Sequence, residues 1–357
     1  MPEGHTLHRL AQALDTAFAG THPSAASPQG RFEDGAALLD GREVIAASAW
    51  GKHLFMEFAG DQWLNVHLGL IGKFSVESYD LDRDGVPPVR GQVRLRLLTT
   101  SHVADLRGAI VSQVVTPEQV DDIVARLGPD PLRTEQDPDR AWARISKSGR
   151  SFAELLMDQS ILAGVGNVYR CEVLFRHRID PFRPGKEIRR QTWQLVWDDL
   201  VRLMPLGVAF NQIITMEDQV EKAELRVAQG QVPELEAVHT DSARLTRPGP
   251  AGVLAAVVAA VGGEERAADL ADESDEGDDD EFEDGVPSEE GGLAASRFAG
   301  VTRGPRVSGT SRRGGFRRRY AVYRRQGEPC RVCGSKIRTK VVAGRNLFWC
   351  GRCQRRR

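Results

Sequence analysis

Apolar positions near the start of the chain recur at helical spacing. Leu7, Leu10, Ala11, Leu14 and Phe18 fall on one side of a 3.6-residue repeat, so residues 5–18 are predicted as one amphipathic helix. The period then shortens to two. Runs at 44–50, 53–58, 63–68 and 74–77 are short, rich in β-formers and punctuated by glycine and aspartate. The stretch VRLRL (93–97) alternates strictly, which predicts a strand with one apolar and one basic face. Residues up to the turn LGPDPL (127–132) therefore read as a β-sandwich with a leading helix.

Beyond that turn the pattern is helical. One helix is predicted at 152–159 and another at 168–175, with ILAGVGN (161–167) between them. Trp193, Val196, Trp197, Leu200, Leu203 and Met204 stripe a third, which Pro205 is expected to stop. From about 217 to 316 the periodicity fails. An acidic run, alanine-rich stretches and Gly, Ser and Arg clusters predict a mostly disordered segment, with a short helix possible at 253–261. RRRYAVY (317–323) then leads into a cysteine-rich end.

Composition sharpens this picture in two places. The hydrophobic share of 41% suits a soluble globular protein. The longest apolar run, 253–261, is far short of the ~20 residues a membrane span needs, and no signal segment opens the chain. An intracellular protein without a membrane role is expected. The net charge of −2 hides a segregation. Residues 271–290 hold 12 acids and no Lys or Arg, whereas residues 301–357 hold 18 Lys or Arg and one acid, Glu328. So basic an end suggests a nucleic-acid partner. A solvated basic tail would explain the arginines but not the cysteines among them.

Cys330, Cys333, Cys350 and Cys353 are spaced C-x2-C-x16-C-x2-C. Two such knuckles aim four thiolates at one point, the pattern of a zinc ribbon. Two disulfides fit an intracellular chain poorly. A single structural Zn2+ closed by four thiolates is expected, and Cys171 is read as a small buried residue. The opening MPEGHT leaves two roles for Pro2. It can start a helix, where its missing N–H costs nothing. Alternatively, removal of Met1 would expose a secondary amine. Glu3 can likewise be a first-turn acid favoured by the helix dipole or a catalytic acid.

The opening PEG, the stretch LLMDQSILAGVGNVYRCEVLFRHRIDP (155–181), the ending GRNLFWCGRCQ (344–354) and this order of parts together resemble the bacterial formamidopyrimidine-DNA glycosylase / endonuclease VIII family. The resemblance covers residues 2–213 and 317–357, and PEGHT is closer to the endonuclease VIII-like branch than to the PELPE opening of the oxoguanine branch. It implies an α+β multidomain fold. An N-terminal catalytic β-sandwich (2–126) precedes a helix-two-turn-helix DNA-binding domain (127–213), a low-complexity acidic insert (214–316) and a C-terminal zinc finger (317–357).

The resemblance also implies roles. Pro2 is the nucleophile that attacks C1′ of a damaged nucleotide. A terminal amine has a pKa of about 7.7–8.0 against about 10.4 for lysine, so far more of it is neutral near pH 7, and the iminium it forms is an electron sink for elimination. Glu3 is the proton donor that opens the sugar ring. Lys52, in AWGKHLFMEF, contacts a phosphate and donates a proton during β-elimination. Asn167, in GVGN, is a second phosphate anchor. Arg345 binds phosphate and assists δ-elimination. HLGLIG (67–72) matches the family's HLGMSG loop and puts Leu70 at the apolar wedge. DLRGA (105–109) keeps an arginine, Arg107, to face the orphaned base but lacks the phenylalanine of DPRRFG. That departure favours oxidised pyrimidines and ring-opened lesions over oxoguanine.

The expected function is thus a bifunctional DNA glycosylase and AP lyase of base-excision repair. It would act as a monomer on damaged double-stranded DNA in the bacterial cytoplasm, with one zinc and no organic cofactor. A non-catalytic zinc-ribbon protein that binds damaged DNA would need the basic tail and GVGN but not Pro2 and Glu3. A tautomerase using an N-terminal proline would leave the ribbon unexplained. The acidic insert is read as a solvated linker, with a DNA-mimicking brake or a partner-binding tail as alternatives.

Overall fold

The computed structural model describes residues 2–233 and 316–355. Helix α1 (Gly4–Phe18) opens the fold, and Leu7, Leu10, Leu14 and Phe18 are buried along its inner face. After β1 (Ser24–Ala26) and α2 (Glu33–Leu39), the chain runs through β2 (Val44–Trp50), β3 (His53–Phe58), β4 (Gln62–His67) and β5 (Lys73–Ser78). The one-turn α3 (Leu81–Asp84), β6 (Leu95–Leu98), β7 (His102–Arg107) and β8 (Val111–Val115) follow. Two four-stranded antiparallel sheets result, in the orders β2-β3-β4-β8 and β1-β6-β7-β5. Leu54, Met56, Leu64, Val66, Phe74, Val76 and Leu106 meet between them and under α1. This is the sandwich that the period-two runs predict, led by its helix.

The basic face predicted for 93–97 is not a solvent face. Arg96 is buried, and its guanidinium grips Asp105 with N–O distances of 2.7 and 2.9 Å. Both sides of this central strand are covered, so the arginine is retained only as half of an ion pair.

Helix α4 (Pro117–Ala125) carries a capping box, Thr116 with Gln119, and leads to the LGPDPL turn. Helices α5 (Pro138–Ile145), α6 (Phe152–Leu155), α7 (Asn167–Arg176), α8 (Arg190–Phe210) and α9 (Glu217–Ala228) then pack together. Trp193, Tyr169, Leu200 and Leu203 sit at their centre. The finger hairpin β9 (Ile337–Val342) and β10 (Arg345–Cys350) adds Leu347 and Phe348 to that same core. The ribbon and the helices are therefore one packed body.

Three helix boundaries differ from the sequence reading. The helix expected at 152–159 ends after one turn, because Gln159 belongs to the next loop: its Oε1 accepts from Gly164 N–H and its Nε2 donates to Val165 O. Pro205 does not stop α8, which continues to Phe210. Residues 203–210 are all buried, and that burial outweighs the one backbone bond proline removes. Helix α9 occupies residues that the sequence reading gives to the low-complexity insert. Val220, Ala223 and Val227 bury one stripe of it, although its other faces are highly charged. The possible helix at 253–261 and the acidic run at 271–290 lie outside the described residues.

Candidate active site

The start of the chain is pinned where the two bodies meet. Helix α1 begins at Gly4, so Pro2 lies just outside it and not in its first turn. Gly4 N–H donates to Gly164 O at 2.8 Å. A β-carbon at Gly4 would stand 2.8 Å from Gly164 Cα, so only glycine lets the backbones approach so closely.

Glu3 precedes α1 but caps a different helix. Its fully buried carboxylate accepts N–H bonds from Gly166 (3.1 Å), Val168 (2.8 Å) and Tyr169 (3.4 Å), at the N-terminus of α7. Those donors and the positive end of α7 favour a negative charge there. Burial opposes it. The Glu3 carboxyl is pushed up by desolvation, and the Lys52 ammonium and the three N–H groups pull it only part of the way back. Glu3 therefore holds a proton more readily than a free glutamate, which suits a proton donor.

Lys52 stands in the tight β2–β3 turn, and its Nζ donates to Val165 O at 2.8 Å. Burial lowers its pKa to about 8; Glu3 opposes this fall, and Arg345 and Arg170 add to it. The turn is anchored by Asp130, a buried acid in LGPDPL. Asp130 accepts from Gly51 N–H (2.7 Å) and Leu132 N–H (2.9 Å), and its Oδ2 lies 2.9 Å from His8 Nε2. Burial would raise the Asp130 carboxyl, but His8 and these N–H donors outweigh it and hold it low.

Asn167 is the first residue of α7 and is buried. Its amide donates to Asn346 O at 2.9 Å, while its Oδ1 accepts from Arg170, whose guanidinium also reaches Val342 O at 3.1 Å. Both ties run from α7 to the finger hairpin. Arg345 follows the Ala343-Gly344 turn of that hairpin. It is partly exposed, and among the described residues its guanidinium makes one hydrogen bond, a 3.2 Å contact to Gly344 O.

Behind the hairpin, the sulfurs of Cys330, Cys333, Cys350 and Cys353 all lie within 4.8 Å of one another. The 330–353 and 333–350 separations are 3.9 and 3.4 Å. A tetrahedral Zn2+ with bonds of about 2.3 Å requires sulfur–sulfur separations near 3.8 Å, so the quartet fits zinc. Four protein ligands close the sphere and make the ion structural. Cys171 is separate: burial pushes its thiol up to about 12, and its sulfur accepts from Phe348 N–H at 3.4 Å. It is an inert packing residue.

A cavity of about 380 Å³ opens in front of Pro2, His5 and Thr6. Arg318, Tyr320, Tyr323 and Arg324 line it on the finger side, and Leu70 and Ile71 on the sandwich side. A second hollow of about 420 Å³, at His8, Trp50 and Arg133, holds none of the expected site residues.

Three family models match the chain. They are the formamidopyrimidine-DNA glycosylase N-terminal domain over residues 1–109, the formamidopyrimidine-DNA glycosylase H2TH domain over 127–218, and the zinc finger found in FPG and IleRS over 327–356. Endonuclease 8 1 of Mycobacterium tuberculosis is 40% identical over 355 residues, covering 99% of this chain and 100% of that one. The chain belongs to the formamidopyrimidine-DNA glycosylase / endonuclease VIII family. Proteins of this family are DNA glycosylases with AP lyase activity that serve base-excision repair. The formamidopyrimidine-DNA glycosylase of Thermus thermophilus is 26% identical over 323 residues, 89% of this chain and 85% of that one. Lactococcus lactis Fpg, solved in complex with DNA containing an abasic site, shares the fold. Its TM-score is 0.62 at 18% identity, over 99% of this chain and 100% of that one.

Within this family fold, the expected residues fall into two groups. Glu3 and Lys52 both converge on the loop 163–168, and Asn167 and Arg345 approach it from α7 and the finger. Leu70 and Arg107 lie on the sandwich side. Leu70 is 49% exposed, in a loop fixed by the Gly69 N–H to His67 Nδ1 bond of 3.0 Å. Arg107 is tied down by Asp105 (2.6 Å), Ser75 (3.2 Å) and the Arg90 carbonyl (3.0 Å). Sequence reasoning passed over three positions. Asp130 was visible only as a turn residue between prolines. Ile71 and Ile110 are 79% and 65% exposed, and a β-carbon on Gly69 would strike the Ile110 side chain. The signal for them was an apolar residue inside a glycine-rich turn, LIG and GAI.

Proposed function

We propose that this protein is a bifunctional glycosylase and AP lyase that removes oxidised bases, pyrimidines foremost, from double-stranded DNA, acting as a monomer in the cytoplasm. The observation that carries the reading is the seat of Glu3. The residue next to Pro2 is a buried carboxyl held at the N-terminus of α7 and pushed toward its protonated form. Nothing in capping α1 requires that arrangement, because Glu3 makes no side-chain bond to α1. The chemistry is assigned to the junction of residues 2–126 and 127–213.

In this reading Met1 is removed and the Pro2 nitrogen uses its lone pair to form a bond to C1′. The C1′–base bond breaks, and the base leaves with its electrons and takes up the proton that the Pro2 nitrogen sheds. Glu3 gives its proton to the ring oxygen, which opens the sugar and leaves an iminium between Pro2 and C1′. That cation draws in the electrons released when a C2′ proton is lost, so the 3′ phosphate departs; Lys52 handles the proton, and its pKa of about 8 lets it act in either direction. Arg345 holds the phosphate for the second elimination. Asn167 Nδ2 carries two N–H groups: one is given to Asn346 O, and the other is the donor assigned to a backbone phosphate. Leu70 wedges the duplex and Arg107 faces the orphaned base.

Borohydride trapping tests this reading. Duplexes carrying an abasic site, thymine glycol or oxoguanine are incubated with the protein and with Pro2→Gly, and Met1 removal is checked by intact mass. The expected result is a covalent adduct, strongest with thymine glycol among the bases and absent in the variant. No adduct from Met1-free protein on any duplex would withdraw the roles of Pro2 and Glu3.

A further inference from the structure

The finger side of the cavity is built on a fixed backbone. The fully buried Glu172 carboxylate accepts three successive N–H groups, from Ala321 (2.8 Å), Val322 (2.9 Å) and Tyr323 (2.9 Å), and a fourth bond from the Thr215 hydroxyl. From this frame Tyr320 and Tyr323 project edge to face, with centroids 5.5 Å apart, and Tyr323 packs at 5.5 Å on Phe348.

Two adjacent arginines leave that frame and differ completely. Arg325 is spent on structure: it binds Ala321 O, Pro329 O and Glu328. Arg324 sits at φ +55°, in the left-handed region that side chains with a β-carbon adopt at a cost. Its guanidinium lies 5.6 Å from the Tyr323 ring centre and makes no hydrogen bond or ion pair among the described residues. Arg318, which lines the same cavity, likewise has no hydrogen bond or ion pair among the described residues. Arg96, Arg107, Arg170, Arg176 and Arg202 are all engaged by carboxylates or carbonyls. An arginine kept in an unfavourable backbone conformation, stacked on a tyrosine and left with free donors in the Pro2 cavity, marks a ligand contact.

Resting on the reading of this cavity as the place where a displaced nucleotide meets Pro2, we propose that Arg324, with Arg318, reads the carbonyl edge of the extrahelical base. A guanidinium has five donors and no acceptor. Both bases carry the O2 carbonyl, so the discrimination falls at position 4: thymine glycol presents the O4 acceptor there, which the guanidinium can pair with, whereas 5-hydroxycytosine presents an exocyclic amino group, for which it has no partner. Tyr323 fixes the guanidinium plane beside the base.

The test compares the unsubstituted protein with Arg324→Gly, Arg324→Asn and Arg324→Lys. Thymine glycol excision, 5-hydroxycytosine excision and abasic-strand cleavage are measured with the same preparations. Glycine and asparagine both accept the left-handed backbone, so folding is preserved, and the melting temperature should stay level or rise. Expected is a fall of about tenfold or more in thymine glycol excision relative to abasic cleavage, with 5-hydroxycytosine little changed. Lysine should not restore it, because a point charge lacks the planar fork. Unchanged thymine glycol excision overturns the proposal. So does a uniform loss on all three duplexes that lysine repairs, which identifies a phosphate contact. Failure of the unsubstituted protein to cleave the abasic strand speaks against Pro2 instead, and Arg324 then loses its role with it.

Discussion

Two regions beside Pro2, a floor at the loop 163–168 and a lip of sandwich loops, are built on opposite terms. On the floor, Glu3 is fully buried and three backbone N–H groups surround its carboxylate; Lys52 reaches Val165 O, and Asp130 anchors the turn that carries Lys52. On the lip, Leu70, Ile71 and Ile110 stand 49%, 79% and 65% exposed, across two loops that touch. Buried polar groups are kept only when paired, so the floor is rigid and intolerant. Exposed apolar side chains cost little in the free protein and gain their packing from a partner. The difference separates a place where protons are held from a place where a duplex is pried apart.

The floor should break first and hardest. A β-carbon on Gly166 would lie 2.3 Å from Glu3 Cδ, so Gly166→Ala displaces the carboxylate. Loss of a positioned proton donor costs on the order of 10²–10⁴ in rate. Single-turnover excision should fall that far, and overpacking should remove about 1–3 kcal/mol of stability. If Gly166→Ala excises bases at the native rate, the seat of Glu3 is not what holds its proton.

A smaller effect comes from the buried ammonium of Lys52. Its folded-state pKa is depressed to about 8 from the ordinary 10.5, so the unfolded chain binds more protons between those values and stability rises with pH across that window. Below pH 8 the charged group weighs against folding in full. Lys52→Met should therefore stabilise the protein by about 2 kcal/mol below pH 8, after allowance for solvent at this partly exposed side chain. The gain should shrink toward pH 10.5. Val165 O keeps its bond from Gln159 throughout. Urea denaturation at several pH values gives the curve, and a gain independent of pH would show that the ammonium is not held down by burial.

The lip should yield the smallest change, and only with duplex substrate. Ile71→Ser with Ile110→Ser should leave stability within about 0.5 kcal/mol. Excision of a lesion from duplex DNA should drop roughly tenfold, while the same lesion in a single strand should be processed as before, because no stack has to be opened. An equal fall on both substrates would place these side chains in folding or in general DNA contact, and would erase the contrast between floor and lip.

The two regions were also unequally legible. On the lip, the match of HLGLIG to the family's HLGMSG loop supplied Leu70, while Ile71 and Ile110 were passed over. The floor joins Glu3, Lys52, Asp130 and Gly166 from four separate places in the chain. Spacing cannot bring those together, and the resemblance supplied Glu3 and Lys52 but not Asp130. The same limit explains Arg96 and Pro205. A basic residue in an alternating strand reads as solvent-facing until Asp105 appears beside it, and a proline reads as a helix stop until the burial of residues 203–210 is known.

What the sequence determined by itself was local or covalent in origin. Period-two runs specify strands that must bury one face. The two C-x2-C knuckles specify a tetrahedral thiolate site, because short chain segments fix where their sulfurs point. The family follows from motifs that survive without any knowledge of contact. Tertiary structure alone decided that Glu3 caps α7 and not its own helix, that Asn167 gives one amide N–H to the finger, and that Arg324 makes no hydrogen bond among the described residues while Arg325 does. Each of those outcomes depends on which distant backbone group arrives within about 3 Å, the reach of a hydrogen bond. Chain spacing sets which residues can be offered, and packing of the whole molecule selects which are met.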